Sequence, residues 1–115
     1  MFLGFEMSIR IKRNPNYNIF LDDERFPSNS DNKEYIITRN YKDFVNTIDI
    51  LGLPNYISFD HDLGESKTGY DCAKYLVEYC LDNNLTPNFK FYVHSQNPIG
   101  KENITKLLNN FKGQF

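Results

Sequence analysis

Four short runs of β-prone residues, separated by polar loops and amphipathic stripes, constrain this chain more than any other feature. Tyr17-Asn18-Ile19-Phe20-Leu21, Tyr35-Ile36-Ile37-Thr38, Tyr56-Ile57-Ser58-Phe59 and Phe89-Lys90-Phe91-Tyr92-Val93 have the length, branching and aromatic content of strands. Elsewhere apolar residues recur at helical spacing. Phe44, Val45, Ile48 and Leu51 precede Gly52; Cys72, Ala73, Leu76, Val77, Cys80 and Leu81 form a second stripe; Ile104, Leu107, Leu108 and Phe111 precede Gly113. From the second strand onward the order is β-α-β-α-β-α. Such alternation predicts a parallel sheet with helices packed on its faces, because parallel strands need a crossover and a helix supplies it. Right-handed crossovers gather the carboxyl ends of the strands along one edge, outside which α/β sheets bind their ligands.

The first connection is irregular. Residues 24–34 contain Pro27 and many turn formers but no apolar stripe, so they read as a loop placed to cover the strand ends. With 115 residues the chain divides into an N-terminal extension, 1–16, and a single domain, 17–115. Ser8-Ile9-Arg10-Ile11-Lys12 alternates as an edge strand does. Its Arg10 and Lys12, with Arg13, read more simply as solvated edge charges than as contacts to an anionic partner.

Composition removes several function classes. No apolar run approaches the ~20 residues of a membrane span, and Met1-Phe2-Leu3-Gly4-Phe5 is too short for a signal-peptide core. The expectation is a cytoplasmic protein with no membrane partner. A net charge of −2, spread along the chain, gives no general attraction to nucleic acid. The tyrosines read as core or strand residues, with no aromatic ladder of the kind that stacks single-stranded nucleic acid. Cys72 and Cys80 are about 12 Å apart along one helix, too far for a disulfide, and read as reduced core residues. No four-ligand zinc spacing is present.

Three of the four strand runs end in ionisable or polar groups: Asp22-Asp23, Asp60-His61-Asp62 and His94-Ser95. Carboxylates meeting at neighbouring strand ends repel one another unless a cation or a shared proton relieves them, and carboxylate oxygens suit Mg²⁺ or Mn²⁺. Acidic pairs also cap helices and turns, so both accounts stand. His61 and His94 are the chain's two histidines. Either one alone is most simply a hydrogen-bonded structural residue. Placed together beside acids they suit proton transfer near neutral pH, with Asp60 or Asp62 orienting an imidazole. Strand alternation puts Asp60 and Asp62 on one side and His61 on the other, unless the chain turns before Leu63-Gly64.

His94-Ser95-Gln96-Asn97-Pro98-Ile99-Gly100-Lys101 leads from a strand into a helix. Amides at that helix start, with Ser95, Asn97 or Lys101, offer donors to an anion; an ordinary capped loop is the competing account. It is not a P-loop, lacking both the glycine spacing and the Lys-Ser/Thr ending. Arg25 either clamps a phosphate or neutralises Asp22 or Asp23. Thr68-Gly69 begins the Cys72 helix, with Asp71 favourable in its first turn.

Leu21-Asp22-Asp23-Glu24-Arg25, Ser58-Phe59-Asp60-His61-Asp62-Leu63-Gly64, Gly69-Tyr70-Asp71 and Val93-His94-Ser95-Gln96-Asn97-Pro98-Ile99-Gly100 together resemble the cyclic-phosphate-processing receiver-like family, over about residues 17 to 111. The resemblance implies a receiver-like (flavodoxin-like) three-layer α/β sandwich with a short, mainly parallel sheet of four to five strands. It implies handling of cyclic phosphate ends or cyclic nucleotides. Asp22 and Asp23 match the acidic pair that holds a divalent cation in receivers, and Asp60 matches their phosphorylated aspartate. His61, Asp62, His94 and Ser95 match the features that set this family apart from signalling receivers. Such receivers also carry a lysine on a fifth strand. The chain ends soon after its third helical stripe, so phosphorelay is not expected.

The leading expectation is therefore a phosphoesterase acting on a 2′,3′-cyclic RNA end or a cyclic nucleotide. In it Asp22, Asp23 and Asp60 hold Mg²⁺ or Mn²⁺. His61, His94, Asp60 and Asp62 carry the chemistry, while Arg25, Ser95, Asn97 and Lys101 bind phosphate. The rival expectations are a module that binds a nucleotide or phosphate without cleaving it, and a degenerate receiver used for protein interaction.

Overall fold

The computed structural model describes residues 16–115. The Ser8–Lys12 strand, the charges Arg10, Lys12 and Arg13, and all of the 1–16 extension except Asn16 lie outside the described residues. Four strands, β1 (Asn18–Leu21), β2 (Ile36–Thr38), β3 (Tyr56–Phe59) and β4 (Lys90–Val93), form one parallel sheet in the order β2-β1-β3-β4. Three helices, α1 (Tyr41–Leu51), α2 (Gly69–Asp82) and α3 (Pro98–Lys112), follow β2, β3 and β4. This is the expected receiver-like α/β fold, with four strands among the described residues.

Connection direction decides which face each helix covers. The steps β2→β3 and β3→β4 run the same way across the sheet, so right-handed crossovers place α1 and α2 on one face. α3 packs beside α2 and β4 on that face. Ile19, Leu21, Ile57, Phe59 and Val93 point into it and meet Phe44, Ile48, Leu76, Ile104 and Leu108 in a single core. Cys72 and Cys80 are free thiols in the same core; burial pushes the Cys80 thiol up to about 11 and raises that of Cys72 as well.

The step β1→β2 runs the opposite way, so its connection crosses the other face. There Lys33 Nζ sits 5.0 Å from the centre of the Tyr56 ring, the Tyr35 ring meets Phe20, and Asn18 Nδ2 donates to the Glu34 carbonyl at 3.0 Å. The third layer of the sandwich is thus the loop itself, interrupted by one short 3₁₀ turn, Asn29–Asp31. No helix among the described residues is long and apolar enough to cross a membrane.

The helix starts are capped by side chains close to the strand ends. Asn40 Oδ1 accepts from the Asp43 amide at 2.8 Å, and Asn97 Oδ1 accepts from the Gly100 amide at 3.0 Å, with Pro98 opening the helix. Thr68 and Asp71 form a reciprocal capping box on α2, which holds the Asp71 carboxyl below the usual carboxylate range.

Candidate functional site

One hydrogen-bonded row beyond the sheet positions the chemistry. The Asp22 amide donates to the Thr38 carbonyl at 3.1 Å, that of Asp60 to Leu21 at 2.9 Å and that of His94 to Phe59 at 2.9 Å. Side chains alternate along strands. Asp22, Asp60 and His94 therefore share the face of Phe20, Ser58 and Tyr92, turned away from the helices. One ligand atom from each of the three lies within 4.8 Å of the others.

His94 is fixed from three sides. Its Nε2 is 3.0 Å from Asp22 Oδ2, its Nδ1 is 2.7 Å from Ser58 Oγ, and its ring stacks on Phe20 with centroids 4.7 Å apart. Asp22 is fully buried. Its Oδ1 accepts from the amides of Glu24 (3.0 Å) and Arg25 (2.8 Å), and its Oδ2 from Arg25 Nε at 2.8 Å. Burial pushes this carboxyl up, but those amides, His94 and the Arg25 charge outweigh it and hold it below the usual range. Arg25 Nη2 also reaches Asp60 Oδ2 at 3.4 Å, so one guanidinium bridges both carboxylates.

Past Asp60 the strand pattern breaks. β3 ends at Phe59 and the backbone bends at His61, the turn that Leu63-Gly64 allowed for. Asp60 Oδ1 accepts the His61 amide at 2.8 Å, while Asp62 Oδ1 lies 2.8 Å from His61 Nδ1. The bond to His61, aided by Asn97, holds the Asp62 carboxyl low. Asn97 Nδ2 reaches both Asp62 oxygens at 3.4 Å. Two glycines permit this crowding. A Cβ on Gly69 would sit 1.9 Å from the Asp60 carbonyl oxygen, and one on Gly100 would sit 2.3 Å from His61 Cγ.

A cleft of about 760 Å³ opens over these groups, lined by Asp23, Glu24, Arg25, Asp60, Asp62, Gly64, Ser95, Gln96, Asn97 and Pro98. Six of the residues expected at the site therefore face one space: Asp23, Arg25, Asp60, Asp62, Ser95 and Asn97. Asp22, His61 and His94 are not among the lining residues but contact it: Asp22 through Arg25, His61 through Asp62, and His94 by way of Asp22 to Arg25. Lys101 lies outside it, its Nζ 5.4 Å from the centre of the Tyr92 ring. The three-residue cluster that fits a cation contains His94 where the sequence suggested Asp23. The cause is alternation, since Asp23 projects into the cleft mouth, where a Cβ on Gly64 would come within 3.1 Å of its Oδ2.

Residues 17–110 match the model of the family described as the cyclic-phosphate processing receiver domain. The chain belongs to that family. No curated protein and no solved structure matches it.

In this cyclic-phosphate processing receiver domain, further residues to which the sequence reading gave no role brace the site. Ser58 holds His94, and its place two residues before Asp60 on one strand face is the signal that could have found it. Arg39 Nη1 donates to the carbonyls of Asp22 at 3.0 Å and Arg25 at 2.6 Å, and its guanidinium lies 4.6 Å from the Phe26 ring centre. It fixes the turn that presents Arg25. Its position directly after β2 was the only clue. Among the described residues, no buried side-chain nitrogen or oxygen lacks a hydrogen-bond partner.

Proposed function

We propose that this domain is a phosphoesterase for a cyclic phosphate, assisted by Mg²⁺ or Mn²⁺. The observation that carries the reading is the row Asp22, Asp60 and His94 standing under a cleft lined by Arg25, Ser95 and Asn97. Two carboxylates and one imidazole at this spacing fit a small divalent cation. Asp22 and Asp60 would hold it, with His94 completing the set through Nε2. Such an ion supplies charge that polarises a phosphoryl oxygen and lowers the pKa of water.

The protein's own groups divide the remaining work. Arg25 neutralises the carboxylates and, half-exposed at the cleft, is placed to pair with a phosphate oxygen. Ser95 and Asn97 sit at the start of α3, where amide donors and the helix dipole favour an anion. His61 keeps Nδ1 against Asp62, leaving Nε2 as the nitrogen for proton transfer. Ser58 at Nδ1 orients His94, so that Nε2, which otherwise meets Asp22, would face the cation.

Incubation with a panel of 2′,3′- and 3′,5′-cyclic nucleotides and Mn²⁺ tests the reading. Turnover that falls at least about a hundredfold in His61→Ala, the usual range for general acid–base catalysis, supports it. Absence of turnover across the panel overturns it. A second reading, capture without cleavage, draws on the Arg25 bridge, which balances the acids with no ion. Calorimetric binding of ligand recovered intact after long incubation with Mn²⁺ would favour that version.

A further inference from the structure

The face of the sheet that bears Asp22, Asp60 and His94 continues away from them as an aromatic surface. The register sets Phe20, Ser58 and Tyr92 in the next row, and Asn18, Tyr56 and Lys90 in the row below. Among the described residues no helix covers it, and the residue 24–34 loop crosses its β1–β2 half. The β4 side stays open, with Tyr92 53% exposed and Lys90 exposed, while on β3 Ser58 is buried and Tyr56 is half-buried beneath Lys33 of the loop. Lysines meet the rings there, with Lys101 Nζ 5.4 Å from the centre of Tyr92 and Lys33 Nζ 5.0 Å from that of Tyr56.

We propose that this open β4 side binds single-stranded RNA, stacking a base on Tyr92 and leading its 3′ end into the cleft. The placement of the terminal phosphate rests on the phosphoesterase reading; the platform itself does not. Aromatic rings on an open sheet face are how several RNA-binding domains hold unpaired bases. Stacking tolerates any base, while nearby ammonium groups follow the backbone phosphates. Successive rows on one face lie two residues, or about 7 Å, apart along the strand. One nucleotide can therefore reach from a phosphate beside His94 to a base on Tyr92, and the next to Lys90.

Charge selects this occupant over an apolar one. A hydrophobic segment laid on the face, from residues 1–15 or a second copy, would cover Lys90 and Lys101 without giving them anionic partners, whereas Lys33 already has Asp31 beside it. A polynucleotide gives Lys90 and Lys101 each a phosphate. Acidic Asp31 and Glu34 flank the β2 side, which places the track on the β4 side.

Anisotropy titration of the full chain with three probes tests the proposal. They are a labelled hexanucleotide ending in a 2′,3′-cyclic phosphate, the same hexanucleotide ending in a 3′-hydroxyl, and a competing cytidine 2′,3′-cyclic monophosphate. The cyclic hexanucleotide should bind at least about tenfold tighter than the mononucleotide, and Tyr92→Ala with Lys90→Ala should remove most of that advantage. Tyr92→Phe should keep it. Equal affinity of hexanucleotide and mononucleotide, or an advantage untouched by the double variant, overturns the platform and leaves the cleft reading standing. That result is expected if residues 1–15 or a second copy covers the face. Tyr92-dependent binding of the hydroxyl-ended hexanucleotide without mononucleotide binding would keep the platform and overturn the cleft. Binding of no probe overturns both.

Discussion

The two faces of this sheet are built from the same four strands yet follow different rules. On the helix side, Ile19, Leu21, Ile57, Phe59 and Val93 are sealed into one apolar core. On the other, Phe20 and Ser58 rise to a polar row, Asp22, Asp60 and His94, where ring stacking and hydrogen bonds replace close apolar packing. Strand alternation separates the two environments by a single residue. Apolar packing and buried polar bonds therefore occupy adjacent positions, so a substitution should cost most on the sealed face, less in the buried polar row and least at the exposed rings.

The largest expected effect lies on the sealed face. Phe59→Ala removes a fully buried ring that packs on Phe44, and should cost about 3–5 kcal/mol of unfolding free energy. Tyr92→Ala on the open face should change it by less than about 1 kcal/mol. Urea unfolding of both variants breaks the comparison if the two losses are alike. Next comes Asp22→Asn, which removes a carboxylate accepting charge-assisted bonds and should cost about 1.5–3 kcal/mol at neutral pH. The folded Asp22 carboxyl is lower than that of the unfolded chain. Its contribution is thus present above the unfolded value of about 3.9 and disappears as pH falls through the folded one. The gap between Asp22→Asn and the parent should close on acidification; a gap constant to pH 2 would contradict the assignment.

Gly69→Ala sharpens the comparison from the backbone side. Its new Cβ would collide with the Asp60 carbonyl, so either α2 or the end of β3 must shift. We expect a loss of about 1–3 kcal/mol together with weakened Mn²⁺ binding, because the shifted strand end carries Asp60. Destabilisation with Mn²⁺ affinity unchanged would show that α2 alone gives way.

The sealed face was legible in the sequence, and the polar row only in part. Period-two and helical spacing suffice to place Phe59 or Leu76 inside, since burial needs only the right face. The strand ends at Asp22, Asp60 and His94 were legible for the same reason. Leu63-Gly64 made a turn after Asp60 legible, but spacing could not supply its shape, which sets Asp62 against His61 and brings Gly69 and Gly100 close to Asp60 and His61. The exchange of His94 for Asp23 in the cluster depends on the register between β1 and β4, two strands apart in the sheet. Tyr56 and Tyr92 are far apart in the chain, and the register sets both on one face. Both are strand residues, as expected, and the rings of His94, Phe20, Tyr35 and Tyr56 pack on one another in series.

Arg25 carries the smallest and most discriminating expectation. Its guanidinium contacts the same Asp22 and Asp60 oxygens that a divalent ion would use, so ion and side chain compete for one position. Arg25→Ala should therefore tighten Mn²⁺ binding by roughly three- to tenfold, modest because the arginine is half-exposed and its pairing is screened by solvent. The same change should weaken inorganic phosphate binding, which loses its clamp. If calorimetry finds both affinities reduced, Arg25 cooperates with the ion. If neither affinity moves, the guanidinium is a structural counter-charge, and the polar row belongs with the sealed face as part of what holds the fold together.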